Sequence, residues 1–336
     1  VALFDLPIAQ LREYRPDITV PADLDEFWIR TLGESRAHDL DAVFEPVDTG
    51  YALVDSYDVT FSGFGGHRIR GWLHVPAGAT GPLPTVVEFI GYGGGRGLAH
   101  QHVEYALAGW AHVIMDTRGQ GTGWSAGDTP DPDAGAGAGG STGPITRGIL
   151  DPDTYYCRRV YVDAVRAIEA ARTSRFVDPG RVAVTGISQG GGIAIAASAL
   201  SAMDAAASTS PAAPALLGAA VDVPFLCHFE RAITLTDNDP YHDVVRYLQR
   251  HRTDVERVYE TLSYFDGATL ARAATIPTLF SVALMDRTCA PSTVFAAYNA
   301  WAGEKSIEVY PFNEHEGGQE HHQRARLAWL AALFGG

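Results

Sequence analysis

Residues 181–200 call for a strand, a sharp turn and a helix in immediate succession. Arg181-Val-Ala-Val-Thr185 is a short β-branched run opened by the turn signal Asp178-Pro-Gly180. Residues 190–200 are small and helix-compatible apart from their glycines, which let a helix lie close to a sheet. Between them stands Gly186-Ile-Ser188-Gln-Gly190, a Gly-x-Ser-x-Gly pattern that in this setting lifts a serine hydroxyl above the end of a sheet. The pattern occurs twice more, as Gly123-Trp-Ser125-Ala-Gly127 and Gly139-Gly-Ser141-Thr-Gly143. Ser125 lies among glycines with Pro130 close behind, and Ser141 follows the low-complexity Gly/Ala loop 134–140, so neither has a strand before it and a helix after it. Gly135, Gly137 and Gly140 also match Gly-x-Gly-x-x-Gly, but the missing strand removes the context of a dinucleotide site.

Around this centre, strand-like and helical segments alternate. Strands are expected at 53–61 and 67–75, joined by the hairpin-like turn Ser62-Gly-Phe-Gly-Gly66, then at 85–90, 112–115, 181–185, 219–223, 278–284 and 307–310. Helices are expected at 23–32, 98–108, 154–173, 190–203, 294–301 and 320–334. An antiparallel opening followed by repeated strand–helix units predicts an α/β fold with a mostly parallel central sheet covered by helices on both faces. We expect one domain over 1–336, with a helical N-terminal extension to about residue 50, partly polar linker, and a helical insertion at about 241–274 that shapes a pocket.

Composition removes several classes of function. A formal charge of -15 excludes a phosphate backbone or an anionic membrane as the expected partner. Three cysteines (Cys157, Cys227, Cys289) without a Cys-x-x-Cys pair support neither a disulfide framework nor a structural zinc site. No run approaches the ~18 uninterrupted apolar residues of a membrane helix. The opening Val1-Ala-Leu-Phe-Asp-Leu-Pro7 has no basic run and no long apolar stretch, so no signal peptide is expected and the expected location is the cytoplasm.

A serine hydroxyl is a poor nucleophile unless a histidine takes its proton and an acid orients that histidine. The order required with a strand–turn–helix nucleophile is Ser, acid, His, each after a strand. Asp286 follows the strand 278–284 and His315 follows 307–310. Asp222 is a competing acid after the preceding strand, and His321 and His322 are rival bases in the final helix. Acyl transfer also needs donors aimed at the developing oxyanion. The backbone N–H of Gln189 is one. Tyr92, in the glycine-dense Gly91-Tyr-Gly-Gly-Gly95 after the third expected strand, supplies the other through its main chain. Arg118, just after the strand 112–115, is expected to pin neighbouring loops by bidentate hydrogen bonding and to take no part in the chemistry.

Arg118-Gly119-Gln120, Gly186-Ile-Ser188-Gln189-Gly190 and His315-Glu316, in that order, resemble the three signature motifs of the acetyl xylan esterase and cephalosporin-C deacetylase family, the seventh family of carbohydrate esterases. The likeness extends to 151–156, 223–229 and 291–298 and so covers nearly the whole chain. It implies an α/β-hydrolase fold, a Ser188–Asp286–His315 triad with Tyr92 and Gln189 as oxyanion hole, and no metal or organic cofactor. It further implies removal of acetyl groups from small acetylated sugars and cephalosporin C, in a ring-like homohexamer. A broader carboxylesterase or a serine peptidase on the same fold is the alternative, and a catalytically silent binding protein a more distant one. The chain departs from the family pattern in the loop 134–140, at Cys157 and in the Ala/Ser/Pro-rich stretch 205–214; Cys157 is expected inside a helix core.

Overall fold

The computed structural model describes residues 3–135, 142–208 and 213–335, so Ser141 and most of the loop 134–140 lie outside the described residues. Two helices, α1 (Ile8–Glu13) and α2 (Leu24–Arg36), precede three antiparallel strands, β1 (Val43–Val47), β2 (Val54–Ser62) and β3 (Arg68–Pro76). Then follow β4 (Leu83–Phe89), α3 (Glu104–Leu107), β5 (Ala111–Met115), α4 (Tyr156–Thr173), β6 (Val177–Ile187), α5 (Gln189–Ala207) and β7 (Gly218–Asp222). Between β7 and the next strand the chain leaves the sheet for α6 (Phe229–Leu235), α7 (Tyr241–Arg250), α8 (Val255–Ser263) and α9 (Gly267–Leu270). It returns through β8 (Thr278–Ala283), α10 (Pro291–Ala300), β9 (Lys305–Tyr310) and α11 (Gln319–Leu333). The nine strands form one sheet in the order β1-β2-β3-β5-β4-β6-β7-β8-β9, antiparallel as far as the β3–β5 pair and parallel from β5 to β9.

Besides an unexpected helix α1 and a helical excursion that starts earlier than 241, at α6, the structure departs from the sequence pattern in two places with a clear local cause. The expected helix 98–108 shrinks to Glu104–Leu107. Gly97 and His102 both take positive φ, and the Leu98 N–H is tied to the Gln101 side chain, so the chain turns instead of coiling. The supposed linker after α2 holds β1, an edge strand whose Pro46 pairs at the margin of the sheet where a missing N–H is tolerated.

The N-terminal extension is bound into the main core. Phe27, Trp28 and Leu32 of α2 are buried, and Trp28 packs against Tyr161 and Phe265. Each such side chain contributes about 1.5–3 kcal/mol by leaving water. The long helix α5 is apolar enough to cross a membrane by length and composition, but its first three turns are buried against the sheet and the neighbouring helix α4. Glycine makes that burial possible. A Cβ on Gly190 would lie 2.0 Å from the Phe89 carbonyl oxygen, and one on Gly186 would lie 2.2 Å from the Gly190 carbonyl carbon. The entry of α5 therefore rests directly on the end of β4. Gly190→Ala is expected to destabilise the protein by about 3 kcal/mol or more, since backbone on both sides prevents repacking; thermal denaturation of the variant, showing a clearly lowered melting temperature, checks this.

Candidate active site

The turn between β6 and α5 holds Ser188 at φ 59°, ψ -117°, a strained conformation for a residue with a Cβ. Its backbone is fixed on three sides. The Ser188 N–H donates to the Asp222 carbonyl at 2.9 Å, and its carbonyl accepts from Gly192 at 3.0 Å and Phe225 at 2.9 Å. The side chain is thereby raised above the carboxyl ends of the strands, where the loops after β8 and β9 also arrive.

These loops deliver Asp286 and His315. His315 Nε2 lies 2.9 Å from Ser188 Oγ, and His315 Nδ1 lies 2.8 Å from Asp286 Oδ2. Asp286 is fully buried, and its other oxygen accepts the N–H groups of Thr288 (2.7 Å) and Cys289 (2.9 Å). The carboxylate is thus locked in one orientation, with one oxygen committed to the backbone and one to the imidazole. The Glu316 side chain folds back onto its own loop, accepting from Asn313 Nδ2 at 2.8 Å and from the Glu314 N–H at 2.9 Å. The Asn313 bond heads the causes that hold its carboxyl below the usual range. Glu316 therefore shapes the loop that presents His315.

Among the described residues, the backbone N–H groups of Tyr92 and Gln189 have no acceptor. Both belong to segments that flank Ser188, the first directly after β4 and the second at the start of α5. One side chain ties these segments together. Gln120 Oε1 accepts the Gly93 N–H at 2.6 Å, and Gln120 Nε2 donates to Gln189 Oε1 at 2.8 Å and to Tyr156 Oη at 2.9 Å. Gln189 Nε2 in turn donates to the Ile90 carbonyl at 3.2 Å. Trp124 closes the assembly from outside: its indole N–H donates to the Tyr92 carbonyl at 2.9 Å, and its ring lies where a Cβ on Gly94 would stand. Ser125 itself remains in the loop 121–131 and makes no hydrogen bond to Ser188, His315 or Asp286.

Arg118 lies beneath this assembly with no exposure. It forms a bidentate pair with Asp163, Nε to Oδ2 at 2.6 Å and Nη2 to Oδ1 at 2.7 Å, and Asp131 stands 3.6 Å away. Burial works against its charge, yet the Asp163 carboxylate outweighs it and raises the guanidinium pKa. Gly119, at φ 65°, makes the turn that sends Arg118 down to Asp163 and Gln120 up to the loop after β4. The hydroxyl of Tyr156 joins the two ends, donating to the Arg118 carbonyl at 2.5 Å.

The rival residues have other partners. Asp222 is bound by His322 Nε2 at 2.7 Å and Arg326 Nη1 at 2.6 Å, on the face of the sheet covered by α11. Burial raises its carboxyl, but Arg326 and His322 together hold it below its ordinary value. Cys157 is buried in α4, where burial pushes its thiol up to about 12. Cys289 is also buried and its thiol is pushed well above the usual range by desolvation. Among the described residues, two groups bring three metal-ligating side chains together: Asp286, Cys289 and His315, which the hydrogen-bonded chain already engages, and Glu88, His102 and Glu104. The second group faces the same cavity as Ser188, a space of about 920 Å³ bounded by Ile90, Tyr92, Trp124, Pro240, Thr288 and His315 among others.

The arrangement has known relatives. The acetyl xylan esterase (AXE1) family model matches residues 1–333. The chain belongs to the acetyl xylan esterase family. That family comprises carboxylic ester hydrolases, and the fold is that of the α/β-hydrolases. The structure resembles an acetyl xylan esterase from Paenibacillus sp. R4, with a TM-score of 0.87 and 37% identity over 97% of this chain and 99% of that one. It resembles acetyl xylan esterase 1 from Thermoanaerobacterium sp. to a similar degree, with a TM-score of 0.86 and 31% identity over 98% and 99% of the two chains. The acetyl esterase Axe7A of Xylanibacter ruminicola is 26% identical over 310 residues; these are 90% of this chain but 65% of that protein's length. The acylaminoacyl peptidase of Pyrococcus horikoshii, at 15% identity and a TM-score of 0.56, shares the fold alone.

Sequence reasoning for this family member missed Gln120 as a link between the two free amides, and Trp124 as their outer support. A glutamine 69 residues before its partner Gln189 carries no local signal. Gln120→Leu is expected to lower kcat for ester hydrolysis by about 10- to 100-fold, less than the loss of a transition-state hydrogen-bond donor outright, because it would displace the two unpartnered amides without removing them, while KM changes little. Steady-state kinetics on an activated acetyl ester check this; a variant with unchanged kcat would sink the linking role.

Proposed function

We propose that this protein is a serine esterase that removes acetyl groups from small acetylated sugars through an acetyl-enzyme intermediate. The observation that carries the proposal is the unbroken hydrogen-bonded chain from Ser188 Oγ through His315 to Asp286, standing beside two backbone N–H groups that lack acceptors. Ser188 Oγ attacks the acetyl carbonyl carbon as His315 Nε2 takes its proton. Asp286 stabilises the imidazolium that results, and the Tyr92 and Gln189 amides hold the oxyanion. Collapse of the tetrahedral intermediate expels the sugar alkoxide, which leaves with the proton from His315. Water then attacks the acetyl-enzyme with His315 again as base, releasing acetate and restoring the serine. No residue in this scheme requires a metal or an organic cofactor.

Acetylated xylan is the substrate class that the names of the similar structures suggest; the family likeness narrows it to small xylo-oligosaccharides and adds cephalosporin C as a second acetyl ester. Cytoplasmic location and assembly into a homohexamer are parts of the same reading. A solution mass about six times the 36.0 kDa of one chain checks the assembly.

Ser188→Ala is expected to abolish acetate release from acetylated xylose and from p-nitrophenyl acetate, whereas Ser125→Ala retains the chemistry. A fully active Ser188→Ala enzyme would overturn the mechanism. The broader carboxylesterase and the peptidase are separated by acyl-chain profiling. Activity that collapses from acetyl to butyryl and longer esters supports the deacetylase, and cleavage of acyl-peptides contradicts it.

A further inference from the structure

An acetyl group fills a small part of the cavity above Ser188. The remainder extends away from the serine along the α11 face of the sheet, and its walls there are polar. Glu88 comes from β4, His102 from the turn ahead of α3, and Glu104 from the first turn of α3; their ligating atoms all lie within 4.8 Å of one another. Opposite them α11 presents Gln319, Gln323 and Arg326, spaced i, i+4 and i+7 and therefore on one face of the helix. Seven residues of helix run about 10 Å, the length of a sugar ring or two.

These side chains hold unspent hydrogen-bonding capacity. Glu88 is a buried residue whose side chain keeps 11% of its surface exposed, and it gives only Oε2 to His112, at 2.8 Å; Oε1 makes no hydrogen bond within the protein. The His102 ring and the side chains of Glu104, Gln319 and Gln323 make no hydrogen bonds within the protein, and Arg326 Nε is buried without an acceptor. Of these only Glu88 and Arg326 are buried; His102, Glu104 and Gln323 are half-buried and Gln319 is exposed, so together they form a polar wall whose groups are open to a ligand. The set mixes carboxylate acceptors with amide, imidazole and guanidinium groups. That mixture matches a neutral polyhydroxylated ligand, each hydroxyl of which both donates and accepts. A bare cation fits less well, because it would lie close to the Arg326 guanidinium, whose charge already reaches Glu88.

We propose that this arm of the cavity, built by Glu88, His102, Glu104, Gln319 and Gln323, is the subsite for the sugar portion of the substrate, the alcohol that leaves when the acetyl group is transferred to Ser188. The inference rests on the esterase reading and deepens it, since it assigns sugar selectivity to residues outside the triad and the oxyanion hole. An aryl alcohol has no ring hydroxyls to offer this wall, so the two kinds of acetyl ester report on it differently.

The test compares acetylated xylobiose with p-nitrophenyl acetate on the full-length protein and on Glu104→Ala and Gln323→Ala. Both substituted positions are half-buried and unpartnered, so the fold tolerates them. The ratio of kcat/KM for the sugar ester to that for the aryl ester is expected to fall by about tenfold or more in each variant, chiefly through KM for the sugar. That is the size expected when one buried hydrogen bond to a substrate is lost. An unchanged ratio, or a parallel loss on both esters, overturns the subsite while leaving the esterase reading intact. Sugar-ester activity that EDTA removes and a divalent cation restores overturns it in favour of a cation site. An unmodified protein that hydrolyses the aryl ester but not the sugar ester overturns both the subsite and the sugar-deacetylase reading.

Discussion

The contact between the first turn of α5 and the last residue of β4 governs the geometry of everything above it. Gly190 lies so close to the Phe89 carbonyl that no side chain fits between them. The loop that carries Tyr92 begins one residue after that carbonyl, and Gln189 immediately precedes that glycine. The separation of the two unpartnered amides is therefore set by backbone packed on backbone, the stiffest contact a protein has. Strain at Ser188 is a consequence of the same contact. A helix that starts this close to the sheet leaves no room for a relaxed turn, and the three backbone hydrogen bonds of Ser188 hold it there.

A second layer of order comes from buried charge. Arg118 and Asp163 pair bidentately under the loops after β4 and β5, and Asp222, His322 and Arg326 form a corresponding cluster on the other face of the sheet. Such clusters add little net stability, because desolvation of both partners offsets most of their attraction. Their effect is directional. Removing one partner would strand a charge at a cost of about 3–5 kcal/mol, so alternative loop placements are strongly disfavoured. Arg118-Gly119-Gln120 combines both layers in three residues: a charged anchor pointing down, a glycine at positive φ, and an amide pointing up to the two free N–H groups.

The sheet and the order of the proposed catalytic residues were legible in the sequence because they depend on local patterns. β-branched runs, turn residues and a Ser–acid–His order are features of contiguous or ordered stretches, and β2 to β9 lie within a few residues of where those patterns put them. What was not legible depends on contacts across long separations. The edge strand β1 is polar, contains Pro46 and is half exposed, so it lacks the alternation that marks a strand. Glu104 to Leu107 is the only helical part of 98–108, because the Gln101 side chain captures the Leu98 N–H. Asp222, a competing acid by strand order, is excluded from His315 by partners a hundred residues later in α11. The roles of Gln120 and Trp124 are likewise invisible without the fold.

The division of labour between strands explains why Asp286 can hold the proposed base while Asp222 cannot. Both follow parallel strands at the same end of the sheet, but β7 ends at Asp222 itself, whose side chain turns into the interface with α11 and meets a guanidinium and an imidazole. β8 ends three residues before Asp286, so that carboxylate is carried past the sheet on a loop whose own N–H groups grip one oxygen. The remaining oxygen has a single direction left, toward His315 Nδ1. A carboxylate at the strand end serves the core, and one displaced beyond it serves the site. The polar face of α11 follows from the same placement: with Asp222 drawn inward, His322 and Arg326 are anchored, and the helix turns Gln319 and Gln323 toward the cavity beside the proposed nucleophile.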